Sequence, residues 1–181
     1  MIIRKTIYLL SSMIMFMMVT AFHMRSTEDD GQEYSLKAAF LYRFTDYIEW
    51  GANNKGGYFN IAILGESPIT SPLREIAKEK NIKAKKINVR EYDDVNDIGS
   101  CQLLFISRNA KADIESISAK LAGRSVLLVT EEPDASRHGA YINFIIVDNK
   151  LRFEINLAAA TKGGLKIGSQ LLEHAILISS P

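Results

Sequence analysis

The chain has 181 residues, with 22 basic and 21 acidic side chains and a formal net charge of +1. This balance, without a basic tract, argues against nucleic acid as a partner, because counterion release from phosphates needs clustered Lys and Arg. Cys101 is the one cysteine of the sequence, so an intramolecular disulfide cannot form. The length suits a single domain that buries one sizeable core and is stabilised by packing.

The amino terminus has the pattern of an export signal. Arg4 and Lys5 precede Ile7–Phe22, a run of 16 residues without charge. A membrane-spanning helix needs about 20 apolar residues, so this run is short for an anchor and typical of a signal peptide. Val19-Thr20-Ala21 supplies the small-residue cleavage pattern. An uncleaved amino-terminal anchor is the alternative interpretation.

We therefore predict a signal peptide over residues 1–21, cleaved near Ala21, a flexible polar leader over 22–33 and one domain over 34–181. Loss of Arg4 and Lys5 changes the net charge from +1 to about −1.

The first predicted element of the domain is a helix over Tyr34–Trp50, because apolar residues recur there every four positions from Leu36 to Ile48. A strand over Phe59–Leu64 follows. The next helix is predicted to have Ser71 as its amino-terminal cap, Pro72 as its first residue and Asn81 at its end. A second strand over Lys85–Arg90 completes a strand–helix–strand unit.

A second strand–helix–strand unit has the same order, with a strand over Leu103–Ile106, a helix over Lys111–Ala122 and a strand over Ser125–Thr130. Repetition of this order predicts right-handed crossovers and a largely parallel sheet that is covered on both faces.

A β-hairpin is the clearest local prediction. Tyr141–Val147 and Lys150–Asn156 flank Asp148-Asn149, which suits a two-residue turn. Pairing Val147 with Lys150 places Ile145 opposite Arg152 and Asn143 opposite Glu154. The apolar residues then share one face of the hairpin, while Asn143, Arg152, Glu154 and Asn156 share the other.

After the hairpin, Asn156 can cap a short helix over Leu157–Lys162, which Gly163-Gly164 interrupts. A final helix is predicted from Leu165 to Ile176. The predicted fold class is thus α/β, a single compact domain with a mixed, mostly parallel sheet flanked by helices and with a C-terminal β-hairpin and helix. The paired glycines, together with Lys162 and Lys166, could form an anion site, but a break between helices is the simpler interpretation.

Catalytic and metal-binding patterns are absent from the sequence. The three histidines have no Cys or His partner at metal-ligand spacing, and Cys101 has no partner that marks it as a nucleophile. We therefore expect a binding protein that is not an enzyme and holds no cofactor or metal. The alternatives for the polar hairpin face are a structural network and a ligand or partner site, for which the candidate residues are Arg43, Asn143, Arg152, Glu154 and Lys166.

Five segments, in order along the chain, resemble those of the YfiR-like periplasmic proteins. They are the first helix with its Trp, two middle strands, the hairpin and the carboxyl-terminal segment: Lys37–Phe44 with Ile48–Trp50, Cys101–Ile106, Val126–Thr130, Gly139–Phe144 with Arg152–Asn156, and Gly164–Ile167 with Ser169–Leu172. The resemblance covers essentially the whole predicted mature chain. Gly51 stands where the family often has Pro after the Trp.

The resemblance implies a compact α/β fold, a homodimer and a periplasmic repressor. Such a protein binds the periplasmic sensor portion of a membrane diguanylate cyclase, or of a sensor histidine kinase, and links envelope signals to cyclic-di-GMP and biofilm formation. The better-known members carry extra cysteines and respond to redox state, whereas Cys101 stands alone here, which argues against a disulfide switch. A periplasmic protein that binds a small envelope ligand is the alternative function.

Overall fold

A computed structural model of the chain describes residues 31–51 and 56–179. The predicted signal peptide and most of the predicted leader lie outside the described residues. Residues 31–33, which belong to that predicted leader, are helical. The compact unit that carries the fold is Ser35–Pro181.

Helices and strands alternate through most of the described chain. The helices are α1 (31–44), α2 (Thr70–Glu79), α3 (Ile114–Leu121), α4 (Leu157–Lys162) and α5 (Ser169–Leu172), with a single 3-10 turn at Val95–Asp97. The strands are β1 (Ile48–Trp50), β2 (Tyr58–Leu64), β3 (Asn81–Ile82), β4 (Lys85–Tyr92), β5 (Leu103–Ile106), β6 (Leu127–Thr130), β7 (Ile142–Val147), β8 (Lys150–Ile155), β9 (Leu165–Ile167) and β10 (Ile176–Leu177).

The described strands form one large sheet with the order β10-β8-β7-β6-β5-β2-β4-β3, and β1 and β9 form a separate antiparallel pair. From β4 through β2, β5 and β6 to β7, neighbouring strands are parallel, while the β7–β8 hairpin is antiparallel. Strands β5 and β6 are buried along their whole length, as expected for parallel strands covered on both faces. The predicted α/β class with a mixed, mostly parallel sheet is confirmed.

Strand β2 lies between β4 and β5. The chain therefore passes from β2 to β4 on one side, and then from β4 back past β2 to β5 on the other side. Because crossovers between parallel strands are right-handed, the β2–β4 connection, which contains α2, and the β4–β5 connection cover opposite faces. The first is a regular helix. The second, residues 93–102, contains only the short 3-10 turn.

The prediction that the first helix extends to Trp50 is wrong. Helix α1 ends at residue 44, where bonds such as Thr45 N–H to Tyr42 O, 3.2 Å, tighten the chain into a turn. Ile48–Trp50 instead pairs with Leu165–Ile167. Ile48 continues the apolar spacing of the helix and is also fully buried as a strand residue, so local periodicity could not separate the two structures.

The predicted start and end of the second helix are also wrong by one or two residues. Helix α2 begins at Thr70 after Ile69, so Ser71 lies inside it and makes no cap. Pro72 is still in the first turn, where backbone N–H groups have no partner within the helix, so the N–H that proline lacks costs no helical hydrogen bond. Asn81, predicted to end the helix, opens strand β3.

The predicted final helix is replaced by three short elements. Leu165–Ile167 is strand β9, only Ser169–Leu172 is helical, and Ile176–Leu177 joins the large sheet beside β8. Gly168 separates the first two elements, and its N–H donates to Tyr47 O at 2.8 Å. These strands form through partners that are distant in sequence.

Candidate partner-binding surface

The β7–β8 hairpin extends beyond the end of its neighbouring strand. Strand β6 pairs with β7 only as far as Thr130 and Asn143, whereas the hairpin continues to Val147 and Lys150. Its turn residues Asp148 and Asn149 have φ values of 49° and 56°, as a tight primed turn requires. The predicted turn and register are both confirmed, and the distal part of the hairpin is a two-stranded ribbon at the carboxyl edge of the sheet.

One face of this ribbon packs on α1 through four aromatic rings. Phe153 lies 4.9 Å from Phe44 and 5.8 Å from Phe40 between ring centroids, and Phe144 lies 5.9 Å from Phe44. Edge-to-face and offset ring pairs at such distances add to the burial of apolar area. The rings therefore fix the base of the hairpin against the first helix.

A buried ion pair fixes the amino-terminal half of the same helix. Lys37 Nζ lies 2.5 Å from Glu131 Oε2, and Glu131 Oε1 accepts from Arg108 N–H at 3.2 Å. At the other end of this segment, Trp50 Nε1–H donates to Gln102 O, just before β5 begins. The segment from Lys37 to Trp50 therefore starts near the carboxyl end of β6 and ends near the amino end of β5.

Towards the tip of the hairpin this apolar face becomes exposed. Ile146 pairs with Leu151 and is 49% exposed. Leu36, one helical turn before Phe40 on α1, is 47% exposed. We call Leu36, Ile146 and Leu151 the hairpin patch. Several exposed apolar side chains on one part of a protein surface are typical of an interaction site.

The outer edge of the hairpin adds a second binding feature. Strand β10 pairs with β8 only at Glu154 and Ile155, and its own residues Ile176 and Leu177 are 43% and 57% exposed. Along Lys150–Phe153 the outer edge of β8 has no strand partner among the described residues. Free backbone donors and acceptors at a sheet edge can pair with a strand of another chain.

The opposite face of the hairpin contains a buried hydrogen-bond network. Thr130 Oγ1 donates to Asn143 Oδ1 at 2.8 Å, and Asn143 Nδ2 donates to Glu132 O at 2.9 Å and to Glu154 Oε2 at 3.3 Å. Ser136 Oγ donates to the same Glu154 oxygen at 2.5 Å. Asn143 and Ser136 are fully buried. Two of the predicted site residues, Asn143 and Glu154, are therefore brought together as supports for the loop that follows β6.

Asn156 completes this network. Its Nδ2 donates to Ser136 O at 2.8 Å, while its Oδ1 accepts from Ala159 N–H and caps α4 as predicted. The sequence indicated the hairpin residues and the cap, but it did not single out Ser136 or Thr130. Both residues belong to segments that reach the hairpin only in the folded protein, so their role in the network could not be predicted from spacing along the sequence.

The other three predicted site residues are exposed and separate. Arg43 lies 3.5 Å from Asp46, and Lys166 lies 3.9 Å from Glu49, with side chains 66% and 86% exposed. The side chain of Arg152 is exposed on the hairpin face opposite the patch, and it makes no hydrogen bond or ion pair within the described part of the chain. The five residues therefore do not converge on one pocket, and Arg152 is the one left available to a partner.

The paired glycines act as a helix end. Gly163 N–H donates to Ala159 O at 2.9 Å and Gly164 N–H donates to Thr161 O at 3.0 Å, so both amides are used by the end of α4. Gly164 has a φ of 84°, which favours glycine. This arrangement agrees with the simpler interpretation of a break in the chain.

Comparison with known proteins adds the family. Residues 34–176 match the model of the YfiR/HmsC-like proteins. The chain belongs to the YfiR/HmsC-like family. This is a regulatory rather than a catalytic family, it is periplasmic, and it is associated with diguanylate cyclase signalling. No curated protein matches the chain.

None of the helices within residues 31–51 and 56–179 combines the length and the hydrophobicity needed to cross a bilayer. Across the same ranges, no three His, Cys, Asp or Glu side chains come together as a metal site. The expectation that the protein works without a cofactor stays a prediction.

Proposed function

We propose that this protein is a periplasmic repressor that binds the sensor portion of an inner-membrane diguanylate cyclase and lowers cyclic-di-GMP production. Membership of the YfiR/HmsC-like family carries the proposal. The hairpin patch supports it, because a regulator without its own chemistry has to act through a contact surface, and exposed apolar side chains next to a rigid base supply one.

The proposed contact has an apolar centre and a polar rim. Ile146 and Leu36 supply the exposed apolar area, and Arg152 provides a cation on the opposite face of the hairpin. Arginine and large apolar residues are enriched at the energetically important centres of interfaces. The outer edge of β8 lies beside them and offers backbone groups to a strand of the sensor.

The first test is enzymatic. The chain from residue 22 is added to a detergent-solubilised diguanylate cyclase from the same organism, and conversion of GTP to cyclic-di-GMP is measured. Saturable inhibition is expected. In cells, deletion of the gene is expected to raise cyclic-di-GMP and biofilm mass. If neither the purified cyclases nor the deletion strain respond, the proposal is wrong. A response confined to autophosphorylation of a sensor kinase would assign the protein to that partner instead.

The second test asks whether the hairpin patch makes the contact. Ile146→Asp places a charge at the centre of the patch and is expected to abolish inhibition while leaving the thermal unfolding temperature unchanged. Tyr58→Asp is a matched control, because Tyr58 is 56% exposed at the amino end of β2, away from the hairpin. Equal inhibition by the two variants would place the contact elsewhere.

The homodimer implied by the family stays a prediction. Sedimentation equilibrium of the mature chain checks it, and the Ile146→Asp variant then shows whether the second copy and the sensor use the same surface. A monomer at all concentrations would remove the dimer from the proposal.

A further inference from the structure

A cleft of about 630 Å³ lies beside α3, on the face of the sheet opposite the one covered by α2. It exists because the connection from β4 to β5 has ten residues, 93–102, and only one 3-10 turn at Val95–Asp97. A connection between parallel strands usually contains a helix that covers the sheet. Without that helix, a gap remains between the connection and α3.

The floor of the cleft is apolar. Leu104 of the central strand β5 and Ile117 of α3 are buried there, with Val126 and the half-buried Leu121 beside them. The volume falls in the range of about 300–1,000 Å³ that small-molecule sites occupy. An apolar body of a ligand fits this floor.

The rim of the cleft is cationic. Lys120 and Arg124 are exposed at its edge, and neither has an ion-pair partner among the described residues. The described residues that line the cleft include no Asp or Glu. Cys101 lies inside, and burial raises the pKa of its thiol to about 11, so the thiol is uncharged at neutral pH and does not offset the two cations.

Another cavity has a different charge pattern. The cleft of about 660 Å³ near Glu66 also contains Glu75 and Glu91, and its cations Lys78 and Arg74 are already paired with them at 2.7 and 3.7 Å. In the cleft near Cys101, by contrast, Lys120 and Arg124 have no ion-pair partner among the described residues.

We propose that the cleft between α3 and residues 93–102 binds a small amphipathic carboxylate, with its alkyl body on Leu104 and Ile117 and its carboxylate at Lys120 and Arg124. This site is distinct from the hairpin patch, and the inference does not depend on the proposed repressor function. It assigns a ligand class to the regulator.

Cys101 makes the site directly measurable, because it is the one cysteine of the chain and lies in the cleft. Its alkylation by N-ethylmaleimide at pH 8.5 is followed by mass spectrometry of the mature protein, alone and with octanoate, octanol or octylamine. Octanoate is expected to slow alkylation saturably, and octylamine is expected to leave the rate unchanged. From hexanoate to octanoate, affinity is expected to rise by about fourfold per buried methylene group.

Two variants test the two halves of the site, with calorimetry as a second measure of affinity. Lys120→Gln with Arg124→Gln is expected to weaken octanoate binding by at least about tenfold, because charge-assisted bonds to the carboxylate are lost. Ser100→Trp places a large ring into the cleft from an exposed position and is expected to abolish binding. Lys111→Gln, an exposed lysine outside the cleft, is the matched control and is expected to bind as the parent does.

Three results would overturn the proposal. They are equal protection of Cys101 by octylamine and octanoate, unchanged octanoate affinity in the Lys120 and Arg124 double variant, and an absence of saturable binding by all three ligands. Circular dichroism and thermal unfolding show that each variant is folded, so a loss of binding is not a loss of structure.

Discussion

Lys37 and Glu131 form an ion pair of 2.5 Å in which each side chain is 1% exposed, although the residues are 94 positions apart in the sequence. The pair joins the first helix to the loop that follows β6. It lies one residue from Leu36 of the hairpin patch. The position of that patch therefore depends on a buried electrostatic contact as well as on the aromatic packing of α1.

Lys37→Met is expected to lower the free energy of unfolding by about 3–5 kcal/mol, because it leaves the Glu131 carboxylate buried without its ammonium partner. Equilibrium unfolding in urea measures the loss. Combining it with Glu131→Leu is expected to restore much of the stability, because both buried charges are then removed.

Lys111→Met serves as the control for loss of a positive charge, since Lys111 is exposed, and it is expected to change stability by less than about 0.5 kcal/mol. A Lys37→Met variant that unfolds at the parent urea concentration would contradict the assigned role of the pair.

Phe153→Ala is expected to destabilise the protein by about 3–5 kcal/mol, as truncation of a buried aromatic side chain does. Phe153 is 5% exposed and contacts the rings of both Phe40 and Phe44. Thermal or urea unfolding checks the value. Leu177→Ala is the control, because Leu177 is 57% exposed and its truncation removes little packing. If both variants matched the parent midpoint, the hairpin would not be packed on α1 as described.

Glu154→Ala is expected to act on the loop after β6 more than on the core. It removes the acceptor for Ser136 Oγ and Asn143 Nδ2, and leaving such buried donors unsatisfied costs about 1–3 kcal/mol. Hydrogen exchange measured by mass spectrometry is expected to rise in residues 132–139. Arg152→Ala, on the same strand but exposed, is expected to leave exchange there unchanged. Equal exchange in the two variants would contradict the network.

The elements that sequence analysis predicted well are those whose partners are close in the chain. The hairpin register from Val147 and Lys150 to Asn143 and Glu154 is confirmed, because a two-residue turn and an alternating pattern both specify it. The cap of α4 by Asn156 is confirmed for the same local reason. Likewise, the buried runs of β5 and β6 follow from a continuous apolar pattern.

The wrong predictions concern segments whose structure depends on distant partners. Ile48–Trp50 and Leu165–Ile167 become strands by pairing with each other across more than a hundred residues. In the candidate site, two further features depend on tertiary structure. They are the extension of the hairpin beyond β6 and the ion pair of Lys37 with Glu131. Periodicity describes one segment at a time, so none of these contacts leaves a signal in it.

The Cys101 thiol gives the protein a predictable response to alkaline pH. Burial raises its pKa in the folded state from 9.0 to about 11, so the folded protein holds the thiol proton more tightly than the unfolded chain does. The resulting stabilisation is fully present below pH 9.0 and is lost as the pH rises towards 11. The loss amounts to at most about 2–3 kcal/mol.

Unfolding in urea between pH 8 and pH 11 measures this loss, with Cys101→Ala as the control. The variant is expected to lose less stability over that range. Its stability still falls with rising pH in part because of Tyr141. Burial also raises the pKa of Tyr141, while a hydrogen bond with Ser118 acts in the opposite direction. At pH 8 the parent thiol is expected to react with maleimide about a hundredfold more slowly than a free cysteine, because its thiolate fraction is smaller by that factor. A reaction rate equal to that of a free cysteine would show that Cys101 is not held in the cleft beside α3.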